Sequence, residues 1–372
     1  MLPLKGLSVF DFSTLLPGPL ASLILAEAGA DVVKIERPSS GDEMRTYHPR
    51  VGENSANFVM LNRGKRSLCA DLKQPEVVER VRALLERADV LIEQFRPGVM
   101  DRLGLGFEAI HAINPRLVYC SISGWGQTGP KASVAGHDLN YLAETGILGL
   151  SAGADGAPVL PPVLAADIAG GAFPAVMNIM FALRERDRTG KGTRLDISMA
   201  DNLFTFHYWS IGSGTSGGGW PKPGAELVTG GSPRYHVYKT ADSRYLAAAP
   251  VEERFWQRFC QIIGLPQELR DPEVDKKAAI AEVQRRIAER TAAYWCDVFA
   301  GQDVCCSIVT TLEEAMDDPH VIARGLFDHR VKSGSVALPA LPVPVAPVFR
   351  SVAEVRAAPG LGDSNQELLG TI

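Results

Sequence analysis

The sequence has little histidine, and its cysteines are not spaced as metal ligands or as disulfide pairs. Its 372 residues include 7 histidines, and no two of them have the HExxH or HxxxH spacing of a zinc site. The 6 cysteines form no CxxC pair, and two of them, Cys305 and Cys306, are adjacent. We therefore expect no metal and no disulfide framework, and we expect the chain to occupy a reducing compartment.

Excess positive charge and long apolar runs are also lacking. The net charge is −5, which argues against a nucleic-acid partner, because such proteins normally carry a basic excess. We identify no run of the roughly 18 apolar residues that a membrane helix needs. The N-terminal residues show no charged stretch leading into an apolar segment, so we expect no signal peptide. These features predict a cytoplasmic protein that does not interact with a membrane.

Glycine and proline, by contrast, are plentiful. The chain has 36 glycines and 25 prolines, while its 46% hydrophobic and 22% charged residues match an ordinary globular protein. A chain of this length predicts two domains, at roughly 150 residues each. The glycine and proline content indicates many tight loops in an otherwise apolar chain.

Strand and helix patterns alternate through the first third of the chain. Leu7–Ser13 and Asp31–Glu36 are predicted strands, and Pro19–Gly29 is a predicted helix between them. A second unit of this kind follows, with strands at 67–71 and 89–93. A helical stretch near 99–113 and a further strand at 116–123 are predicted after it. Parallel strands joined by helices predict an α/β fold, in which ligands usually bind at the carboxyl ends of the strands.

The pattern changes after residue 200. Residues 201–224 lie in a Gly/Ser/Pro-rich region and are predicted to form a linker. A predicted hairpin at 235–249, helices at about 252–263, 276–299 and 312–324, and a strand at 306–310 then suggest a smaller α+β domain at 225–330. The large domain is expected to be discontinuous, with residues 1–200 joined by a returning Pro-rich tail at 331–372.

Two further patterns are relevant to ligand binding. Gly124-Trp-Gly-Gln-Thr-Gly129 matches GxGxxG, but Pro130 follows instead of a helix, which favours a tight loop near a ligand over a nicotinamide site. The basic segment Asn62–Arg66, with Arg37, Lys73 and Arg96, lies near predicted strand ends. These cations would suit a polyphosphate, although scattered surface charge explains them equally well.

His137 and Asp167 are the most plausible acid/base residues. His137 stands between Gly136 and Asp138 at a predicted helix start, where a simple capping or surface role is the alternative. Asp167 lies at the start of an apolar helix, where an N-cap role is the alternative. Its apolar flanks predict partial burial and a raised pKa. Free N–H groups at that helix start could stabilise an oxyanion.

Several motifs together resemble the family III CoA-transferase superfamily. They are Leu15-Leu-Pro-Gly-Pro19, the segments 26–38, 62–67 and 70–73, Phe95-Arg-Pro-Gly98, Gly124–Pro130 and Thr189-Gly-Lys-Gly192. Within it, Gly136-His-Asp-Leu-Asn-Tyr-Leu-Ala143 and Leu164–Gly171 are similar to the alpha-methylacyl-CoA racemases. Transferases of this type typically have tyrosine where this chain has His137.

The resemblance implies an epimerase that interconverts (2R)- and (2S)-2-methylacyl-CoA thioesters, as part of lipid metabolism. His137 would take the α-proton from the (2S) epimer and Asp167 from the (2R) epimer, while Glu252 would hold His137. The enolate oxygen would be held by N–H groups at the start of the Asp167 helix. The alternative is a CoA-transferase in which Asp167 is the covalent nucleophile.

The resemblance also implies a Rossmann-like large domain and an interlocked homodimer, with the site between the large domain of one subunit and the small domain of the other. No cofactor is expected, since coenzyme A is part of the substrate. The residues expected to contact the substrate are Arg37, Ala70, Asp71, Leu72, Lys73, Arg96, Lys131, Gly136, Asp138, Leu139, Asn140 and Tyr141.

Overall fold

Short runs of buried Val, Ile and Leu form the central sheet of the protein. The computed structural model describes residues 2–153, 155–271, 275–350 and 355–370. Six parallel strands form this sheet among the described residues. They are β1 (Ser8–Asp11), β2 (Asp31–Glu36), β3 (Arg66–Cys69), β4 (Val90–Glu93), β5 (Val118–Ser123) and β6 (Arg194–Ser198).

The strand order is β3-β2-β1-β4-β5-β6, which is the Rossmann order. In β1, Val9 pairs with Val32 on one side and with Val90 on the other. The direction of strand succession therefore reverses between β1 and β4. The loops that follow these two strands leave from the same edge of the sheet, and in open α/β sheets this is where ligands bind. The α/β class predicted from the sequence is confirmed.

Helices cover the sheet. Their bounds are α1 (Pro17–Glu27), α2 (Ala56–Asn62), α3 (Pro75–Leu85), α4 (Val99–Arg102), α5 (Phe107–Ile113), α6 (Asp138–Glu144), α7 (Phe173–Thr189) and α8 (Met199–Leu203). In α3 the buried residues are Val78, Val81 and Leu85, which share one face at helical spacing. The predicted helix at 99–113 is divided into α4 and α5, because Gly104 adopts a left-handed φ of 71°.

The helical stretch before and through α7 is longer and more apolar than expected. A π-helical segment, Ala166–Ala172, precedes α7, and together they form a 24-residue helix apolar enough to match the length and composition of a membrane span. Our expectation that no run reaches that length was wrong. The stretch packs against α1, and α7 contacts β5 and β6, so one face of this helix is packed against the large sheet and its helices.

The first turn of α1 has few free amide groups. Pro17 and Pro19 have no N–H, since both are prolines. The Gly18 N–H donates to Gln94 Oε1 at 3.1 Å, and the Leu20 N–H donates to the Leu16 carbonyl at 2.9 Å. The N-terminus of the helix after β1, which binds phosphate in dinucleotide enzymes, is therefore already occupied in this chain.

Two compact units divide the chain. The first contains residues up to Thr145, Pro162–Thr205 and Arg324 onward, and the second contains Gly146–Pro161 and Phe206–Ala323. The second unit has an antiparallel sheet of β7 (His236–Lys239), β8 (Tyr245–Ala248) and β9 (Cys306–Ile308), with β8 in the centre. Its core includes Trp256, Phe259 and Trp295.

The second unit contains the helices Ile147–Leu150, α9 (Tyr208–Thr215), α10 (Glu253–Ile263), α11 (Lys276–Ile287), α12 (Ala292–Phe299), α13 (Leu312–Met316) and α14 (Pro319–Ala323). These helices differ from the predicted ones at two places. The predicted linker at 201–224 instead contains the end of α8 and all of α9. The predicted helix at 276–299 is broken between α11 and α12, where the Thr291 side chain caps the second helix.

The Pro-rich tail belongs to the first unit. It forms a small sheet of β10 (Arg330–Ser333), β11 (Val336–Pro339) and β12 (Val355–Ala357), which the sequence did not predict, and a final helix, α15 (Asn365–Leu369). The Asn365 Oδ1 accepts the Cys69 N–H at 2.8 Å, and the Asp363 Oδ1 accepts the Ser67 N–H at 3.2 Å. The tail therefore covers the outer edge of β3, which would otherwise be an open strand.

Candidate active site

A cavity of about 390 Å³, here called cavity A, lies at the strand ends where β1 and β4 meet. It includes His137 and Asp167, the two residues singled out from the sequence. Residues from the loops after β1, β4 and β5 complete its wall. The lining residues are Leu15, Pro17, Gln94, Phe95, Arg96, Pro97, Ile122, Ser123, Gly124, Trp125, Ala132, Val134, Ala135, Gly136, His137, Asn140, Tyr141, Asp167 and Met199.

His137 is the residue that precedes α6. Its backbone N–H donates to the Asn140 Oδ1 at 3.0 Å, so the side chain of the third helical residue fixes the start of the helix. The imidazole is exposed and lies on the wall of cavity A. The Asn140 side chain therefore holds the helix start through the His137 backbone, and the imidazole lines cavity A.

Asp167 lies within the π-helical segment, near its beginning, and is not the N-cap that its sequence position suggested. Such segments are rare and occur frequently at functional sites. Burial raises the pKa of the Asp167 carboxyl to about 6, and nearby Asp138 acts in the same direction while His137 opposes it. A carboxyl with this pKa exchanges protons readily near neutral pH.

Asp138 links the two candidate acid/base residues. Its Oδ1 accepts the Asp167 N–H at 2.9 Å, and it also accepts the Ala166 N–H. The Ile168 N–H donates to the Leu164 carbonyl at 3.0 Å. The expectation of free N–H groups at this helix start was therefore wrong. An enolate oxygen would have to displace the Asp138 carboxylate or use another donor.

Tyr141 orients the peptide that precedes His137. Its hydroxyl donates to the Gly136 carbonyl at 2.7 Å, and burial raises the pKa of this phenol to about 12, which keeps it protonated. A Cβ at Gly124 would lie 2.3 Å from the Tyr141 hydroxyl, so this position needs glycine. Tyr141 thus joins the Gly124 loop to the loop that carries His137.

A second cavity of about 470 Å³, here called cavity B, contains the other group of predicted binding residues. Arg37, Ala70, Asp71, Leu72 and Lys73 all line it. Phe95 lines both cavities, as does the loop after β1, through Leu15 and Pro17 in cavity A and through Phe12 and Thr14 in cavity B. The predicted substrate-binding residues are therefore divided between two neighbouring cavities.

Three predicted binding residues line neither cavity. Asp138 and Leu139 are in α6, and Lys131 forms an ion pair with Glu144 while its ammonium lies 4.6 Å from the centre of the Trp125 ring. Glu252 belongs to the second unit, where it precedes α10. Its contact with His137 stays a prediction.

The basic segment 62–66 does not form a phosphate site. Arg63 and Lys65 are buried, with 2% and 5% of their surfaces exposed. Arg63 pairs with Glu27 at 2.9 Å, and Arg66 pairs with Asp31 at 2.9 Å. Arg37 and Lys73 in cavity B and Arg96 in cavity A remain as cations at the site. Arg37 pairs with Glu43 at 2.9 Å at an exposed position, and Arg96 forms no ion pair with any described residue.

Sequence reasoning missed several wall residues. Leu15 and Pro17 belong to the Leu-Leu-Pro-Gly-Pro motif, Gln94 and Phe95 precede Arg96 directly, and Trp125 is the second residue of the glycine-rich loop. These residues lie within or beside the recognised motifs, and this proximity could have indicated that they line the site. Across the described ranges, no group of three His, Cys, Asp or Glu side chains could hold a metal ion, and the metal-free expectation stays a prediction.

The sequence matches the description "CoA-transferase family III" over residues 4–365. The chain belongs to CoA-transferase family III. Alpha-methylacyl-CoA racemase of Homo sapiens is 36% identical over 377 residues, which cover 98% of this chain and 92% of the relative. The acetyl-CoA:oxalate CoA-transferase of Acetobacter aceti is 34% identical, over 92% of this chain and 89% of the relative.

Solved structures of CoA-transferase family III share the fold. A CAIB/BAIF family protein from Brucella suis has a TM-score of 0.83 and 30% identity, covering 99% of this chain and 98% of its own. The relatives therefore include a racemase and a transferase, and family membership alone does not choose between the two activities. The choice between the two activities therefore depends on the geometry around His137 and Asp167.

Proposed function

We propose that the protein is a racemase that interconverts (2R)- and (2S)-2-methylacyl-CoA thioesters. The observation that carries this proposal is the presence of an imidazole and a carboxyl, His137 and Asp167, on the wall of one cavity. Exchange of a proton between two faces of a carbon requires one base and one acid, and these exchange roles when the reaction runs backwards. The similarity to the human racemase over 98% of the chain supports the same choice.

The chemistry follows from the two side chains. His137 removes the α-proton of the (2S) epimer, the electron pair moves into the thioester to form an enolate, and Asp167 returns a proton to the opposite face. The (2R) epimer reacts in reverse, with Asp167 as the base and His137 as the acid. The raised pKa of Asp167 favours this exchange, because a carboxyl with a pKa of about 6 is a better proton donor at neutral pH than an ordinary carboxyl.

The two cavities suit a long substrate. The thioester end belongs in cavity A, which contains the acid/base pair, and the nucleotide end of coenzyme A belongs in cavity B, beside Arg37 and Lys73. Arg96, exposed at cavity A, supplies a further cation for a phosphate. Because Phe95 lines both cavities, one substrate can extend from the first to the second.

The test is incubation with one epimer of a 2-methylacyl-CoA in heavy water, without an acceptor acid. We expect inversion at the α-carbon together with incorporation of one deuterium there, measured by chiral chromatography and mass spectrometry. The control is the same incubation with added free acid. Acyl exchange with that acid, in the absence of deuterium incorporation, would instead show a CoA-transferase that uses Asp167 as a nucleophile.

Asp138 offers a test of how the Asp167 pKa is set. In Asp138→Asn the amide oxygen still accepts the Asp167 and Ala166 N–H groups, but the negative charge is lost. The pKa of Asp167 should fall. Because Asp167 must be ionised to act as the base for the (2R) epimer, the pH at which kcat/KM for this epimer declines should be about 0.5–1 unit lower than in the wild type. The measurement is a pH profile of (2R) turnover, and an unchanged acid limb would contradict this assignment.

We also propose that the chain forms a homodimer. The exposed side chains on α7 include Phe173, Met177 and Phe181, which are 40%, 51% and 63% exposed. An apolar helix face of this kind is usually covered in a working protein. A dimer would also offer a second way to bring Glu252 to a histidine. A cytoplasmic location, a role in lipid metabolism and the absence of a resident cofactor are further predictions.

A further inference from the structure

Two lysines are buried beneath the loop that follows β1. Lys34 is fully buried, and Lys65 is 5% exposed. The carboxylates that face them are those of Asp11 and Asp42, both fully buried: Lys34 pairs with Asp42 at 2.8 Å and Lys65 with Asp11 at 3.4 Å. Among these four residues only Asp42 lines a cavity, which is cavity B. Such groups are costly to bury, so their positions call for a reason.

Lys34 donates to a backbone carbonyl near the start of this loop, and Lys65 donates to one in the first turn of α1, which follows the loop. Lys34 Nζ donates to the Ser13 carbonyl at 2.8 Å. Lys65 Nζ donates to the Pro19 carbonyl and to Asn62 Oδ1, each at 2.9 Å. With the contact to Asp11, the Lys65 Nζ has three oxygen partners. Buried lysines therefore hold the backbone at both Ser13 and Pro19, on either side of the residues between them.

The carboxylates fix the middle of the same loop. Asp42 accepts the Leu15 N–H at 3.1 Å, and Leu15 adopts a left-handed φ of 64° that a side-chain-bearing residue rarely adopts. Asp11 accepts the Ser13 N–H at 2.9 Å. A strained residue keeps this conformation only when its surroundings impose it. Here the surroundings are the buried ionic network of Asp11, Lys34, Asp42 and Lys65.

We propose that Lys65 and Lys34 are positioning residues that hold the Phe12–Pro17 wall shared by cavities A and B in its binding-competent shape. This rests on the proposed function only in that the ligand is a CoA thioester. If the loop is disordered before binding, only a fraction of the protein molecules can bind the ligand at any moment. The apparent Kd then equals the intrinsic Kd divided by that fraction, so the affinity is weaker. Substrate, once bound, restores the loop, so turnover at saturation changes little.

The test is Lys65→Met, which keeps much of the side-chain length and removes the ammonium. We expect the Kd of free coenzyme A, measured by titration calorimetry, to rise about ten-fold and kcat to stay within about two-fold. Hydrogen exchange of the peptide containing residues 12–20 should become faster, while exchange of α11 in the second unit should be unchanged. If Lys65→Met fails to fold, the double variant Lys65→Met/Asp11→Asn removes both charges of the pair together.

The matched control is Arg66→Met, the next residue of the same motif. Arg66 is half-buried and pairs with Asp31 and Glu367, outside the network of Asp11, Lys34, Asp42 and Lys65. This variant should therefore leave coenzyme A binding and loop exchange at wild-type values. Wild-type loop exchange and Kd in Lys65→Met would overturn the proposal. A fall in kcat at constant Kd would do so as well, because it indicates fewer folded molecules and not a looser wall. Calorimetry and hydrogen exchange need no racemase activity, so failure of the proposed function would be seen separately.

Discussion

His137→Ala is expected to lower the rate of inversion by about 10² to 10⁴, because one of the two acid/base groups is lost. The two epimers should then behave differently. Asp167 can still remove the α-proton of the (2R) epimer and return a deuteron to the same face, so this epimer should exchange with solvent without inverting. The (2S) epimer has no base on its side and should neither exchange nor invert.

The measurement is α-deuterium content and configuration after incubation of each pure epimer in heavy water. The variant should fold normally, since the start of α6 is held by the His137 backbone N–H and the Asn140 side chain. Loss of exchange from both epimers in a folded variant would contradict the two-base assignment. Full acyl transfer to an added acid would show that the imidazole is dispensable and would favour the transferase.

Asp167→Asn should have the opposite pattern and an additional effect on stability. Inversion should again fall by about 10² to 10⁴, but now the (2S) epimer should retain exchange through His137 and the (2R) epimer should lose it. A transferase would also be inactivated by this change, because the amide cannot form a mixed anhydride. Exchange retained by one epimer is therefore the feature that distinguishes the two functions.

Asp167→Asn should also stabilise the protein above about pH 6. Burial raises the pKa of Asp167 from its ordinary value of 3.8 to about 6, so the folded state binds more protons than the unfolded state between these two values. Ionisation of Asp167 therefore costs stability as pH rises through that window. Removing the carboxyl should raise the free energy of unfolding at pH 7 by about 1–2 kcal/mol, allowing for the partial exposure of the side chain.

The measurement is denaturant unfolding of wild type and variant at pH 4 and pH 7. The gain should be present at pH 7 and smaller at pH 4, where much of the wild-type carboxyl is protonated. His137→Ala is the matched control, since the exposed imidazole should give no comparable gain at pH 7. Equal free energies of unfolding for wild type and Asp167→Asn at pH 7 would show that ionisation of Asp167 does not destabilise the folded protein.

Much of the fold could be predicted because its strands and helices have strong local patterns. Asp31–Glu36 is a strand with the predicted bounds, and the predicted hairpin at Tyr235–Ala249 lies within one residue of β7 and β8. Short elements with weak patterns were missed, among them β10 to β12. Their strands gain stability from pairing with one another, and a single sequence does not show such pairing.

The site was predictable only in part, for a related reason. His137 and Asp167 were recognisable from their neighbours in the sequence, and both line cavity A. The role of Asp138 as acceptor for the Asp167 amide depends on a contact between residues 29 positions apart. The burial of Lys65 depends on Asp11, 54 positions away. A charged residue in a sequence is normally predicted to lie at the protein surface. Only the packed structure shows that the charged side chain of Lys65 is buried.

The occupied N-terminus of α1 has a consequence for how this fold can diverge. Where helix amides hold a phosphate, the ligand class is set by the backbone, which point mutations rarely change. Here the amides of Pro17 to Leu20 are absent or already used, so in the proposed function the phosphates of coenzyme A would be bound by side chains such as Arg37, Lys73 and Arg96. Side chains can be replaced one at a time. A change in the phosphate-bearing ligand would therefore require few substitutions on an unchanged sheet.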